Sequence, residues 1–249
     1  MAETLEAMAR ALFRSWFVDF GPVHAKAEGH PTDLPDDLAA LFPGRLGDNG
    51  VPQGWGNTVA AIGRLNRSTV QPEDITPETP YIGLEHLERR RLIVERWGRA
   101  EDVSSIKNAF SKGDLLFGKL RPYFHKVAIA PFSGICSSDI FVFRPNKCVP
   151  GSFLHLAFSE EKFVETASNA SSGTRMPRAD WSYMDEQSAV LPPPEILGAF
   201  DRIVTPMIVA MQARAAQSHV LVSLRDTLLP KLISGELRIT EAETRISAA

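Results

Sequence analysis

The chain has 249 residues, long enough to bury a core without disulfides or metals. Its 27 Lys and Arg against 30 Asp and Glu give a net charge of −3, and 44% of its residues are hydrophobic. These values exclude a disordered chain and one that coats nucleic acid along its whole surface, while leaving a local basic face open. Two cysteines, Cys136 and Cys148, can neither staple a secreted scaffold nor form a four-ligand zinc site, so a reducing compartment, the cytoplasm, is expected. The start, Met1-Ala2-Glu3-Thr4, has no basic segment, and no run approaches the roughly 18 apolar residues of a spanning helix. Neither a signal peptide nor a membrane anchor is expected.

Residues 3–18 place Leu5, Met8, Leu12, Phe13, Trp16 and Phe17 at helical spacing, so residues 1–20 are expected to hold the end of an amphipathic helix that needs a partner. Residues 21–50, rich in Gly, Pro and Asp without sustained periodicity, suggest an irregular linker. Residues 51–193 carry apolar runs bounded by turn residues, among them Tyr81 to Leu84, Leu115 to Phe117, Val127 to Ile129 and Asp139 to Phe143, the pattern of a mixed, mostly β domain. One helix within it is expected from about Ser152 to Ala167, on the spacing of Phe153, Leu156 and Phe163. From Pro194 to residue 240 the pattern becomes one of long helix, with Ile196, Phe200, Ile203, Met207, Met211, Ala215, Ser218 and Val222 as a coiled-coil seam. Pro206 should kink or divide it, Gly235 is a natural cap, and some 40 residues would span about 60 Å. Residues 241–249 are expected to be a disordered tail. The fold class is therefore α+β, a mostly β domain followed by a long, Pro-kinked helical coiled-coil region.

The two ends share a pattern. Shifted by 216 positions, Leu5, Met8, Leu12, Phe13, Trp16 and Phe17 fall on Leu221, Leu224, Leu228, Leu229, Leu232 and Ile233. Any two amphipathic helices can be slid into such a register, so coincidence and a true repeat both fit.

Catalytic motifs are absent. Gly113 to Lys119 has the spacing of a phosphate-binding loop, but Leu120 replaces the hydroxyl that would hold the metal and the loop interior is strand-like. The six histidines are scattered singly, and nothing assembles a nucleophile with its base or a metal site. Basic residues are more suggestive. Between Lys107 and Lys126, five cations face only Asp114, a net +4. If the strand before it continues, Lys119, Arg121 and Tyr123 share a face with Leu120 inward, suited to phosphates or guanine edges. Ser171 to Arg178 combines hydroxyls, backbone amides and Arg175 and Arg178, the inventory of a DNA-contacting loop. For both segments a solvated turn fits equally well, and for Arg89 to Arg91, beside Glu85 and Glu88, a charge-balanced face is the better reading.

Taken together, Ala11-Leu12-Phe13-Arg14-Ser15-Trp16-Phe17-Val18-Asp19-Phe20, Tyr81-Ile82-Gly83-Leu84-Glu85, Gly113 through Tyr123, Ser172-Gly173-Thr174-Arg175 and Leu224 through Leu237 resemble the DNA-specificity subunits of type I restriction-modification systems. The resemblance covers nearly the whole chain and corresponds to a half-length form, with one target-recognition domain where full-length subunits have two, each followed by a conserved helix. It implies sequence-specific DNA reading without catalysis, as the specificity subunit of a restriction system. Partner modification subunits would methylate adenine with S-adenosylmethionine, and a restriction subunit would supply cleavage with ATP and Mg; this chain would bind neither cofactor. DNA contacts are expected from Lys119, Arg121, Tyr123, Ser172, Thr174, Arg175 and Arg178. A subunit interface is expected from Leu12, Trp16, Ile203, Met207, Met211, Leu221, Leu228 and Leu232, in a homodimer reading a bipartite palindromic site or in a pair with another half-subunit. The competing reading is a truncated, non-productive fragment that sequesters modification subunits.

Overall fold

The computed structural model describes residues 2–101, 103–173 and 175–236. In chain order these form helices α1 (Ala2–Phe17), α2 (Gly21–Glu28) and α3 (Asp36–Ala39), then β1 (Gly56–Thr58), α4 (Val59–Ile62), β2 (Gly63–Leu65), β3 (Thr69–Val70) and β4 (Pro80–Ile82). There follow β5 (Gly98–Arg99), β6 (Lys107–Phe110), β7 (Leu115–Gly118), β8 (Val127–Ile129), β9 (Gly134–Cys136) and β10 (Ile140–Pro145). The chain closes with α5 (Gly151–Ala157), α6 (Glu161–Asn169), α7 (Trp181–Met184), β11 (Ser188–Val190) and α8 (Pro194–Ile233). This is the α+β arrangement that the sequence pattern predicts. The expected tail at 241–249 lies outside the described residues.

Strands form a four-stranded sheet, β2-β10-β7-β8, a five-stranded sheet, β3-β6-β9-β4-β5, and a two-stranded ribbon, β1-β11. All pairs are antiparallel except β4 with β9. The central strands β7 and β10 separate two apolar cores by simple alternation. Leu115, Phe117, Phe141 and Phe143 face the larger core under the helices, whereas Leu116, Ile140 and Val142 face the smaller one with Ile82, Phe110 and Cys136. Burial on both faces explains why these strands read as continuous apolar runs.

The larger core is held by an aromatic lattice between α1 and α8. Phe200 of α8 packs against Phe17, Trp16 and Phe13 at ring separations of 4.9, 5.8 and 5.9 Å, and Trp16 continues to Phe42 at 5.1 Å. Burying such rings supplies much of a domain's apolar stabilisation, and edge-on geometries add to it. The buried stripe of α8 is Ile196, Leu197, Phe200, Val204, Ile208, Met211 and Ala215. It contains the predicted seam residues Ile196, Phe200, Met211 and Ala215, but between them runs one position on, through Val204 and Ile208: Ile203 is exposed and Met207 half-buried, and Ser218 and Val222 are exposed. Two adjacent i, i+4 rows of α8 are apolar, and contact with α1 and α5 selects the row through Val204 and Ile208.

Three further expectations are corrected. Residues 21–50 carry two short helices within otherwise irregular chain: Pro22 occupies the first turn of α2, a position that favours proline, while Val23 and Phe42 enter the core. Lys26 pins this segment by donating to the carbonyls of Ala39 and Phe42. The helix expected over 152–167 is two helices, because Glu160 is extended and Ser159 faces inward, its carbonyl accepting from His125 Nε2 at 2.9 Å. Finally, α8 continues unbroken through Pro206, whose missing N–H leaves one carbonyl free without dividing the helix. α8 is also long and apolar enough to cross a membrane by composition, contrary to the run-length expectation. Its first half, however, is packed into the core.

Asp114 and His155 are among the enclosed polar groups. Asp114 accepts from the Arg144 guanidinium at 2.9 Å, and His155 Nε2 donates to the Gly113 carbonyl at 2.8 Å, fastening α5 to the turn between β6 and β7. Burial pushes His155 down to about 4. The folded state therefore holds it neutral, and its contribution to stability is present above the ordinary histidine value and lost as pH falls from about 6.5 toward 4.

Phe200→Ala is expected to lower stability by about 3–5 kcal/mol, whereas Ile233→Ala, on the exposed end of α8, should change it by less than about 0.5 kcal/mol; urea unfolding at neutral pH checks both. The same titration at pH 7 and pH 4.5 should show a shallower acid loss for His155→Gln than for the wild type, and equal losses would show that His155 is not held neutral by the fold.

Candidate nucleic-acid interface

Strand pairing gathers several loops at one end of both sheets. Gly118 pairs with Ile140 and Phe117 with Val127, while Asn108 pairs with Cys136, which itself pairs with Ile82. Asn108 Nδ2 donates to the Ile140 carbonyl at 2.9 Å and ties the two sheets at this end. The rim is therefore built from the segments after β4, β7 and β9 and before β6, β8 and β10.

The strand expected to run on through Tyr123 stops at Gly118. Arg121 takes a left-handed conformation, φ 50°, and Pro122 opens a single 3₁₀ turn over Pro122–Phe124, because proline fixes its own φ and cannot donate to a ladder. Lys119, Arg121 and Tyr123 thus sit on a tight turn. Tyr123 is 55% exposed at its tip. The Lys119 ammonium lies over the Phe141 ring, 5.3 Å from its centroid.

The second predicted segment docks on the first. Arg121 N–H donates to the Pro177 carbonyl at 2.8 Å and Ala179 N–H to the Lys119 carbonyl at 2.9 Å. The Arg121 guanidinium also reaches the Arg175 carbonyl at 3.3 Å. Ser172 and Arg178 exchange backbone hydrogen bonds, closing a loop with Gly173 at φ 101° and placing Arg175 and Met176 at its exposed tip. Thr174 lies outside the described residues. Two segments about fifty residues apart in sequence therefore become one projecting surface.

Arg178 has a different position from the other candidates. Its guanidinium Nε is 2.8 Å from Asp139 Oδ1, so it braces the loop against the β9–β10 turn. Asp139, unmarked in the sequence, is recognisable only from the fold. The sequence also does not mark Met176, 49% exposed among the cations, whereas Lys107 of the basic run does lie beside the rim, through the pairing of β6 with β9. The +4 run from Lys107 to Lys126 does not form one patch. Lys112 lies in the turn at the far end of β7, and the Lys126 ammonium donates to the Leu84 carbonyl at 2.6 Å. The Arg89 to Arg91 run is charge-balanced: Arg90 pairs with Glu161, Arg91 with Glu3, and Arg89 covers the Phe124 ring.

The predicted interface residues divide into two groups. Trp16 and Met211 are 1% exposed inside the chain's own core and cannot meet a partner while α1 keeps its seat. Leu12, Met207, Leu228 and Leu232 are half-buried, and Ile203 and Leu221 are exposed. No residue of α8 beyond Ala215 is buried, so about 27 Å of helix from 216 to 233 stands clear of the core, with Val220, Leu221, Val222, Leu229 and Ile233 exposed.

No protein-family model matches the chain. Over 96% of its length it is 25% identical to the type I restriction enzyme MjaIX specificity subunit of Methanocaldococcus jannaschii, of which it spans 54%. Over 93 residues, 37% of this chain and 20% of the relative, it is 34% identical to the type I restriction enzyme EcoDI specificity subunit of Escherichia coli. The S subunit of a type I restriction-modification system from M. genitalium shares the fold, with a TM-score of 0.52 at 16% identity, covering 93% of this chain and 56% of that one. The chain thus spans about half the length of the relatives it matches end to end. Over nearly its whole length it is similar to about half of a type I restriction enzyme specificity subunit, and it shares that fold, a mostly β domain with one long helix.

Proposed function

We propose that the chain is the DNA-reading component of a type I restriction-modification complex and is itself non-catalytic. The observation that carries this reading is the joined surface of the Lys119–Tyr123 turn and the 172–178 loop. It projects exposed Arg175, Tyr123 and Met176 beyond a fully buried strand, a rigid base with polar and aromatic tips. The rim docks in the major groove, where guanidinium groups can take phosphates or guanine edges. Modification subunits bind along α8 and bring S-adenosylmethionine for adenine methylation, and a restriction subunit brings ATP and Mg for cleavage. The complex works in the cytoplasm.

Two copies pair through the clear half of α8 and read a bipartite palindromic site, because two-fold symmetry inverts the second half-site. An antiparallel pairing brings the adjacent Arg225 and Asp226 of each copy toward the opposite charges of the other, whereas a parallel one sets like charges side by side. A specific observation also supports the competing reading, a fragment that only holds modification subunits: α1 already covers the first half of α8, leaving a partner less than half of the helix.

Co-expression with the modification subunit in a methylation-free host, followed by mapping of N6-methyladenine, tests the reading. A palindromic gapped motif supports the dimer, an asymmetric one points to pairing with another half-subunit, and co-purification without methylation supports the sequestering fragment. In duplex titrations Arg175→Ala is expected to weaken binding by about 1–3 kcal/mol with relaxed sequence choice if Arg175 meets a base. If it meets phosphate, binding should weaken alike on all sequences and the salt slope should fall by about 1. Unchanged affinity at two salt concentrations removes Arg175 from the interface.

A further inference from the structure

The clear half of α8 is touched by the recognition domain at one aromatic contact. Trp97 stacks on His219, ring centroids 3.8 Å apart and planes 20° from parallel. Trp97 in turn packs edge-on against Phe132 at 4.9 Å, and Phe132 lies 5.9 Å from Phe110, a residue of the smaller core. An aromatic chain therefore runs from the interior of the β domain to the helix, four residues beyond Ala215, the last buried position of α8. Beside this contact lies a cleft of about 370 Å³, lined by Glu3 and Glu6 of α1, by Ile93 and Glu95, and by Arg214 and Leu221 of α8.

We propose that Trp97 and His219 form a strut that fixes the angle between the recognition domain and the clear half of α8, and thereby the gap between the two half-sites. The inference rests on the reading above for its consequence and on the stack alone for its cause. A helix segment of about 27 Å that tilts by ~10° moves its tip by about 5 Å, and one base step is about 3.4 Å along a strand. In a two-fold assembly the error occurs twice. The seat of α1 alone holds α8 only up to Ala215, so a contact outside that seat is what a single gap length requires. Trp97 and His219 are positioning residues; neither need touch DNA.

The experiment uses the full chain co-expressed with its modification subunit, in the wild-type form and as His219→Ala, Trp97→Ala and His219→Phe. Wild type is expected to methylate at one gap length. His219→Ala and Trp97→Ala should modify the same half-sites with at least one further gap length, in about one site in ten or more, and His219→Phe, which keeps a stacking ring, should restore the single gap. A change in stability alone would not move the gap. A gapped wild-type motif whose length is identical in both alanine variants overturns the strut and leaves the DNA-reading function standing. No gapped motif from the wild type overturns that function and the strut's consequence with it. The stack is read separately: tryptophan emission of the isolated chain should change in His219→Ala, which sits on a solvent-facing helix and should not impair folding, and unchanged emission overturns the contact itself.

Discussion

The antiparallel seat of α1 on the first half of α8 is the constraint on which the rest of the structure depends. Phe200 sits at its centre with three rings of α1 around it. Several attachments of the β domain and of α5 meet this pair. Glu6 of α1 accepts from the Leu92 amide at 3.1 Å and from Arg10, and Arg10 reaches Ser159 at the break between α5 and α6. Ser152 of α5 donates to Asp201 of α8 at 2.6 Å. Remove the aromatic lattice and these polar ties lose the enclosure that makes them worth more than contacts with water.

That seat orients the sheets, and the sheets orient the rim. β7 is buried along its whole length, so the turn that follows it starts from a fixed point. The loop at 172–178 is then held by backbone hydrogen bonds to that turn and by Arg178 on Asp139, while its tip stays exposed. Exposed ion pairs of this kind contribute little to global stability. Their value is local: they limit the shapes that the loop can take, so less order has to be imposed when a ligand arrives.

Much of this was legible in the sequence where one local signal dominated. The strands at 115–118, 127–129 and 140–145 and the long helix from Pro194 follow from apolar runs and periodicity. Where two local signals competed, the outcome needed tertiary contacts. Gly21-Pro22 marks a turn and equally a helix start, and Val23 entering the core decides for the helix. The apolar period over 152–167 survives a break at Ser159 because Phe158 and Phe163 stack across it at 4.2 Å. Of the candidate site, both segments were visible by composition. Their union was not, since it depends on the hydrogen bond from Arg121 to Pro177 and on Asp139, a residue with no signature of its own.

The repeat between the two ends acquires a physical meaning from the same seat. Shifted by 216 positions, the clear half of α8 carries Leu229, Leu232 and Ile233 where α1 carries Phe13, Trp16 and Phe17, so it looks equipped to take α1's place on another copy. One position forbids a simple exchange. Ala9 of α1 is 0% exposed, and its counterpart is Arg225, whose charge would have to be buried there beside Asp226 in place of Arg10. The aliphatic residues also cannot rebuild the ring contacts around Phe200. Residues 216–233 therefore cannot take the place of α1 on the first half of α8 without burying that charge.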